Sequence, residues 1–277
     1  MKIINLIENT DGPSGCVSAH GLSFFIETKK HKLLVDLGPT EATLENARKL
    51  GIDLAEVDTV ILSHGHYDHS GGIMPFSKIN SEANIYMQRL SLEEHYSDDG
   101  DESCHRYRYN GIDKAIADLP QLQLLDGNHD IDEELSLFTI GNRTHKLPFA
   151  NSRLLVKRGG EYIPDDFSHE QFLVMKSEKG NVLISGCAHN GILSIMDEYR
   201  KLFHGDPHMV ISGFHLMKKT DYNEDEINEI SEIAYELRKY SAQFVTCHCT
   251  GIEAYEIMKT IMGDQLSYVH SGDEVYI

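Results

Sequence analysis

The chain reads as an α/β protein on three observations: short apolar runs recur through residues 3–62 around one amphipathic stretch, a second set fills residues 135–185, and helical periodicity takes over from residue 192. Alternating strand and helix patterns of this kind describe a sheet covered by helices. With 277 residues the chain can bury a sizeable core, and one domain spanning 1–277 is expected.

In the first third, the β patterns fall at 3–7, 22–26, 33–35 and 57–62, separated by Gly, Pro, Asn and Asp turn residues. Between the last two, residues 40–50 predict a helix, with Thr40 as N-cap, Leu44, Ala47 and Leu50 on one face and Gly51 beyond its end. Residues 91–111 are polar and turn-rich. An acidic run at 93–102 is followed by Arg106-Tyr107-Arg108-Tyr109, and a loop of this length is expected to cover or bind something. The alternating guanidiniums and rings suit an anionic or planar ligand. Strands resume at 135–140, 153–156, 172–176 and 182–185, the last two joined by the turn Ser177-Glu178-Lys179-Gly180. Helices are predicted at 192–203, 224–240 and 252–262. In the second of these, Ile227, Ile230, Ile233, Ala234 and Leu237 share a face.

Composition narrows the function. Lys and Arg total 25 against 44 Asp and Glu, and the formal charge of -19 repels nucleic acid and anionic membranes. A nuclease is therefore disfavoured and a small-molecule partner favoured. There is no apolar run of about 18 residues, and the N-terminal apolar stretch is too short for a signal peptide, so a cytoplasmic protein is expected. Five cysteines make no disulfide framework, and Cys187, Cys247 and Cys249 read as small buried packing residues.

The chemistry concentrates in His64-Gly65-His66-Tyr67-Asp68-His69. Alternate residues His64 and His66 point one way while Asp68 and His69 come from the next bend, which suits two adjacent metal positions. Four apolar runs empty into small-residue turns that carry histidine: 57–62 before His64, 181–184 before His189, 208–211 before His215 and 243–246 before His248. Carboxyl ends of strands are where α/β proteins build sites, so these histidines are expected to converge.

The HxHxDH motif and this layout resemble the metallo-β-lactamase superfamily. The resemblance implies an αββα four-layer sandwich. It assigns His64, His66 and His189 to a first metal and Asp68, His69 and His248 to a second. Gly71 and Gly72 match the family's tight turn, and Asp36 and Asp58 match positions that orient ligands. Within the superfamily, His20-Gly21-Leu22-Ser23, 165–171, 186–191, 212–216 and His248-Cys249-Thr250-Gly251 resemble the branch named for 7,8-dihydropterin-6-methyl-4-(β-D-ribofuranosyl)-aminobenzene-5'-phosphate synthase. One position departs from the family: where many dinuclear members carry a bridging Asp after Gly, this chain reads Gly213-Phe214-His215.

Two divalent ions are thus implied, zinc first, with manganese or iron as alternatives. The implied function is hydrolysis, in which hydroxide made at the metal attacks an ester or phosphoester, Asp68 steers it and His215 donates a proton to the leaving group. The branch implies an alternative, condensation of a dihydropterin pyrophosphate with an aminobenzene ribose phosphate. Arg106, Arg108, Tyr109 and His20 are the candidate substrate contacts, with Tyr107 and Arg143 beside them for rings and phosphates. A redox enzyme of this fold would carry Glu in place of His66 and a flavin domain. A metal-binding regulator without catalysis is the remaining class.

Overall fold

The computed structural model describes residues 1–100 and 106–277, so Asp101 and Glu102 of the acidic run lie outside the described residues. The chain forms two compact units, one of residues 1–128, 152–171 and 270–277 and the other of residues 129–151 and 172–269.

In the first unit, seven described strands make one sheet in the order Glu274–Tyr276, Lys2–Ile7, Ser23–Glu27, Lys32–Val35, Thr59–Ile61, Asn84–Gln88 and Leu122–Leu125. The first four are mutually antiparallel and the last four run parallel. Pairing of Val35 with Ile61 brings the carboxyl ends of two parallel neighbours together, so Asp36 and Ser63 leave the sheet side by side. The helix Ala42–Lys49 covers one face, burying Leu44 and Ala47 against Leu6, Leu34 and Val60. It starts later than expected. Thr40 Oγ1 accepts the Ala42 N–H at 3.2 Å from outside the helix, and Glu41 takes the cap without a side-chain bond. Gly51, at φ 72°, ends it as anticipated.

Within the stretch expected as a loop at 91–111, Glu94–Asp98 and Tyr107–Tyr109 are instead strands of a second antiparallel sheet, whose described strands run in the order Glu161–Pro164, Leu154–Arg158, Glu94–Asp98 and Tyr107–Tyr109. Its polar alternation belongs to strands with one solvated face. His95 and Ser97 point inward and are buried, whereas Glu94, Tyr96 and Asp98 are half-buried.

In the second unit, seven described strands run in the order Leu266–Tyr268, Gln243–Thr246, Met209–Ser212, Val182–Ile184, Phe172–Met175, Leu135–Phe138 and His129–Asp130. The first four are parallel, and the hairpin at 177–180 turns the chain antiparallel. The helices Ile192–Phe203, Glu224–Leu237 and Ile252–Met262 pack a core that includes Phe172, Leu183, Tyr199, Phe214, Ile230 and Phe244. The Glu224 helix is held by a capping box in which Asn223 and Glu226 bond each other's backbone N–H. It buries Ile230, Ala234 and Leu237 but leaves Ile227 39% exposed in its first turn. It stops at Leu237, short of residue 240, because the chain tightens there and Tyr240 N–H bonds the Leu237 carbonyl at 3.1 Å. Among the described residues no helix is long and apolar enough to cross a membrane.

Candidate metal centre

Residues 63–69 follow the Thr59–Ile61 strand and close into the short helix Tyr67–Ser70. The His64 ring centroid lies 4.6 Å from that of His66 and 4.2 Å from that of His69, and all three rings are buried with Asp68 beside them. The turn is tight for a steric reason. A Cβ on Gly71 would sit 1.9 Å from the Pro39 carbonyl oxygen, and one on Gly72 2.3 Å from that of Leu37, so only glycine admits the approach.

Hydrogen bonds fix which imidazole nitrogen carries the proton. Asp36, fully buried, accepts the Ser63 N–H, the Ser63 hydroxyl and His69 Nδ1–H, each at 2.7 Å. Because the Ser63 proton goes to Asp36, His64 Nδ1 must donate to Ser63 Oγ at 2.8 Å. In both rings that tautomer puts the lone pair on Nε2. His66 is kept neutral differently: burial, followed by the adjacent His169 and His95 rings, pushes it well below the usual imidazole range. Neutral imidazoles with an anchored Nδ1–H are the form that binds metal, so the donor set fits a divalent cation.

The second unit presents its donors at one end of the parallel strands. Asn151 Oδ1 accepts His189 Nδ1–H at 2.8 Å while its amide donates to the His189 carbonyl at 2.8 Å, which again leaves Nε2 as the donor. Ala188, His215 and His248 all adopt left-handed backbone, at φ 54°, 50° and 49°. Three such non-glycine residues after three neighbouring strands mark a place where backbone strain is held by the surrounding structure. The His189 and His215 rings stand 4.1 Å apart. Cys187, Cys247 and Cys249 are buried, as expected of small packing residues. The sulfurs of Cys187 and Cys249 lie with His248 in a group whose donor atoms are all within 4.8 Å of one another. Burial opposes charge on the Cys249 thiol, yet hydrogen bonding with Cys187 and His215 and the nearby His248 ring bring it well below the usual thiol range.

Among the other expected residues, His20 reaches Asp68, with Nε2 3.5 Å from its carboxylate. Arg106 and Arg108 are exposed and paired with Asp98 and Asp99, at 3.1 and 2.9 Å, and Tyr109 donates to the Ile112 carbonyl at 2.8 Å. The Tyr107 ring stacks on Tyr162 at 4.1 Å. Arg143 bonds Asn190 at 3.0 Å. Asp58 does not orient the histidines of residues 64–69. It sits at the opposite end of its strand, where it accepts from His31 Nδ1 at 2.7 Å, Lys32 N–H at 2.8 Å and Thr59 at 2.6 Å.

Sequence reasoning missed Ser63, Asn151 and His95 as supports. His95 and His169 flank Asp165, at 2.8 and 3.4 Å, and with His66 they form a buried group whose donor atoms lie within 4.8 Å. Burial works against the Asp165 charge, but the two imidazoles hold it well below the usual carboxylate range. Gly65 N–H donates to His169 Nδ1 at 2.9 Å, tying this group to the motif's backbone. A usable signal was the alternation in Glu94–Asp98, with His95 on its inward side.

A family model described as the metallo-beta-lactamase superfamily matches residues 19–221. The chain is 28% identical, over 98% of its length and 95% of the relative's, to the 7,8-dihydropterin-6-methyl-4-(beta-D-ribofuranosyl)-aminobenzene-5'-phosphate synthase of Methanocaldococcus jannaschii. The crystal structure of Tm1679, described as a metal-dependent hydrolase of the beta-lactamase superfamily, superposes with a TM-score of 0.80 at 30% identity, covering 100% of this chain and 99% of that one. PqqB from Methylobacterium extorquens shares the fold at a TM-score of 0.59 and 12% identity, covering 100% of both chains.

Proposed function

Because the chain belongs to the metallo-β-lactamase superfamily, we propose that it is a metal-dependent hydrolase acting on an ester or phosphoester of a small, phosphorylated molecule. The observation that carries this reading is the proton arrangement: His64, His69 and His189 each commit Nδ1–H to a fixed acceptor, which sets the tautomer that coordinates a cation through Nε2.

Two divalent ions are proposed, zinc first, with His64, His66 and His189 assigned to one and Asp68, His69 and His248 to the other. When bound, such ions polarise an electrophile and make hydroxide available near neutral pH. The chain's own residues supply the rest. Asp36 and Asn151 hold the donor rings, Asp68 orients the attacking group with His20 at its carboxylate, and His215 delivers a proton to the leaving oxygen. Arg106, Arg108 and Tyr109 are proposed to meet the substrate, which requires the Arg106–Asp98 and Arg108–Asp99 pairs to open. On that reading Arg108→Ala depresses turnover of a phosphorylated ester more than of its unphosphorylated counterpart.

A pterin-transferring synthase is the second reading, favoured by the end-to-end similarity to the M. jannaschii enzyme. Elemental analysis of protein purified without added metal, followed by assays on phosphodiester, thioester, lactone and dihydropterin substrates, tests both. Metal-free protein that keeps full turnover would refute them together. Release of pyrophosphate without ester cleavage would favour the synthase.

A further inference from the structure

We propose that the second unit carries a thiolate–imidazole metal site made by Cys187, His248 and Cys249. The proposal rests on the reading above only in taking His248 as a ligand, and it changes that ligand's partners.

Three observations carry it. The two sulfurs and an imidazole nitrogen of these residues lie within 4.8 Å of one another and all three side chains are buried, which is the spacing of donors arranged around one point. Cys187 is shared with a second group, formed with His189 and His215, so its sulfur stands at the centre of the unit's donors. The Cys249 sulfur also occupies the space that a side chain at position 213 would need: a Cβ there would be 2.4 Å from it. Gly213 thus makes room for a thiol on the strand end where the chain lacks a carboxylate, because the following residue, Phe214, is buried in the core. Cys249 Sγ lies 3.5 Å from the Cys187 carbonyl oxygen.

Two thiols and an imidazole form a borderline-soft donor set that selects zinc, cobalt(II) or cadmium over magnesium or manganese. Both sulfurs would bind as thiolates, and any proton either still carried would leave to solvent.

The test uses the full chain, reduced and loaded with cobalt(II). Sulfur-to-cobalt charge transfer in the near ultraviolet is expected, lost or halved in Cys187→Ser and Cys249→Ser and unchanged in Cys16→Ala. The two serine variants should bind zinc at least tenfold more weakly. X-ray absorption of the zinc-loaded wild-type protein needs no variant and should contain a Zn–S shell near about 2.3 Å. Visible cobalt bands without charge transfer, or zinc spectra fitted by N and O alone, would overturn the thiolate site while leaving the histidine centre standing. Failure to bind any cobalt or zinc would remove both.

Discussion

Replacing Asp36 by Asn isolates one charge without changing shape, and Asn tolerates the left-handed backbone, φ 59°, that this position requires. The carboxylate accepts three bonds, from Ser63 N–H, Ser63 Oγ–H and His69 Nδ1–H. An amide offers one oxygen. If that oxygen stays on Ser63 N–H, the new NH₂ faces His69, which must then accept at Nδ1 and carry its proton on Nε2, where a cation would bind. If the amide rotates to serve His69, the Ser63 backbone N–H is left unpaired in the interior. Either outcome forfeits at least one charge-assisted bond, about 1.5–3 kcal/mol. Losing such a support typically weakens metal binding 10- to 100-fold, or roughly 1.4–2.7 kcal/mol. Competition with a chromogenic chelator measures the affinity, and urea unfolding of metal-free protein measures the stability. A variant that folds normally and binds zinc within twofold of wild type would refute the tautomer reasoning.

Three further outcomes are expected. Asp165→Asn removes the anion between His95 and His169, and losing its charge-assisted hydrogen bonding should cost about 1.5–3 kcal/mol, read as a lower urea midpoint. Gly71→Ala forces a Cβ onto the Pro39 carbonyl and should cost about 1–3 kcal/mol with a lower Tm; an unchanged Tm would mean that the turn relaxes freely. Burial, then Asp197, pushes the Tyr240 phenol up to about 12. Its folded value lies above the unfolded value of about 10, so its contribution is full below pH 10 and disappears as pH rises towards 12. At about 1.36 kcal/mol per unit the ceiling is about 2–3 kcal/mol, and Tyr240→Phe should flatten the alkaline fall in stability measured at pH 9, 10 and 11.

Much of the fold could be read from periodicity. Residues 192–203 and 252–262 form the expected helices because their apolar spacing and flanking glycines agree, and the hairpin at 177–180 joins the expected strands. Residues 94–98 and 107–109 were harder. Their charges and tyrosines suit a solvated loop as well as a strand with one wet face, and only the pairing of 94–98 with Leu154–Arg158, about 60 residues on, and of 107–109 with 94–98 decides between them. The histidines at 64, 66, 69, 189 and 248 were legible because each follows an apolar run. Their anchors were less so: Asn151 precedes His189 by 38 residues in a turn without periodicity, and Ser63 looks like any small residue at a strand end. The donors beside the buried thiols become visible only in three dimensions, because burial by itself suits any cysteine.

The pairing of Lys2 with Tyr276 and of Ile4 with Glu274 closes the first unit's sheet with its most distant residues. The Lys2–Ile7 strand therefore keeps one edge bare until residues 274–276 have been made and can pair with it. The second unit's parallel core lies within residues 182–268 and pairs with none of that stretch. A chain truncated before residue 274 would consequently keep every described strand of the second unit's sheet while the first unit lacked its closing one.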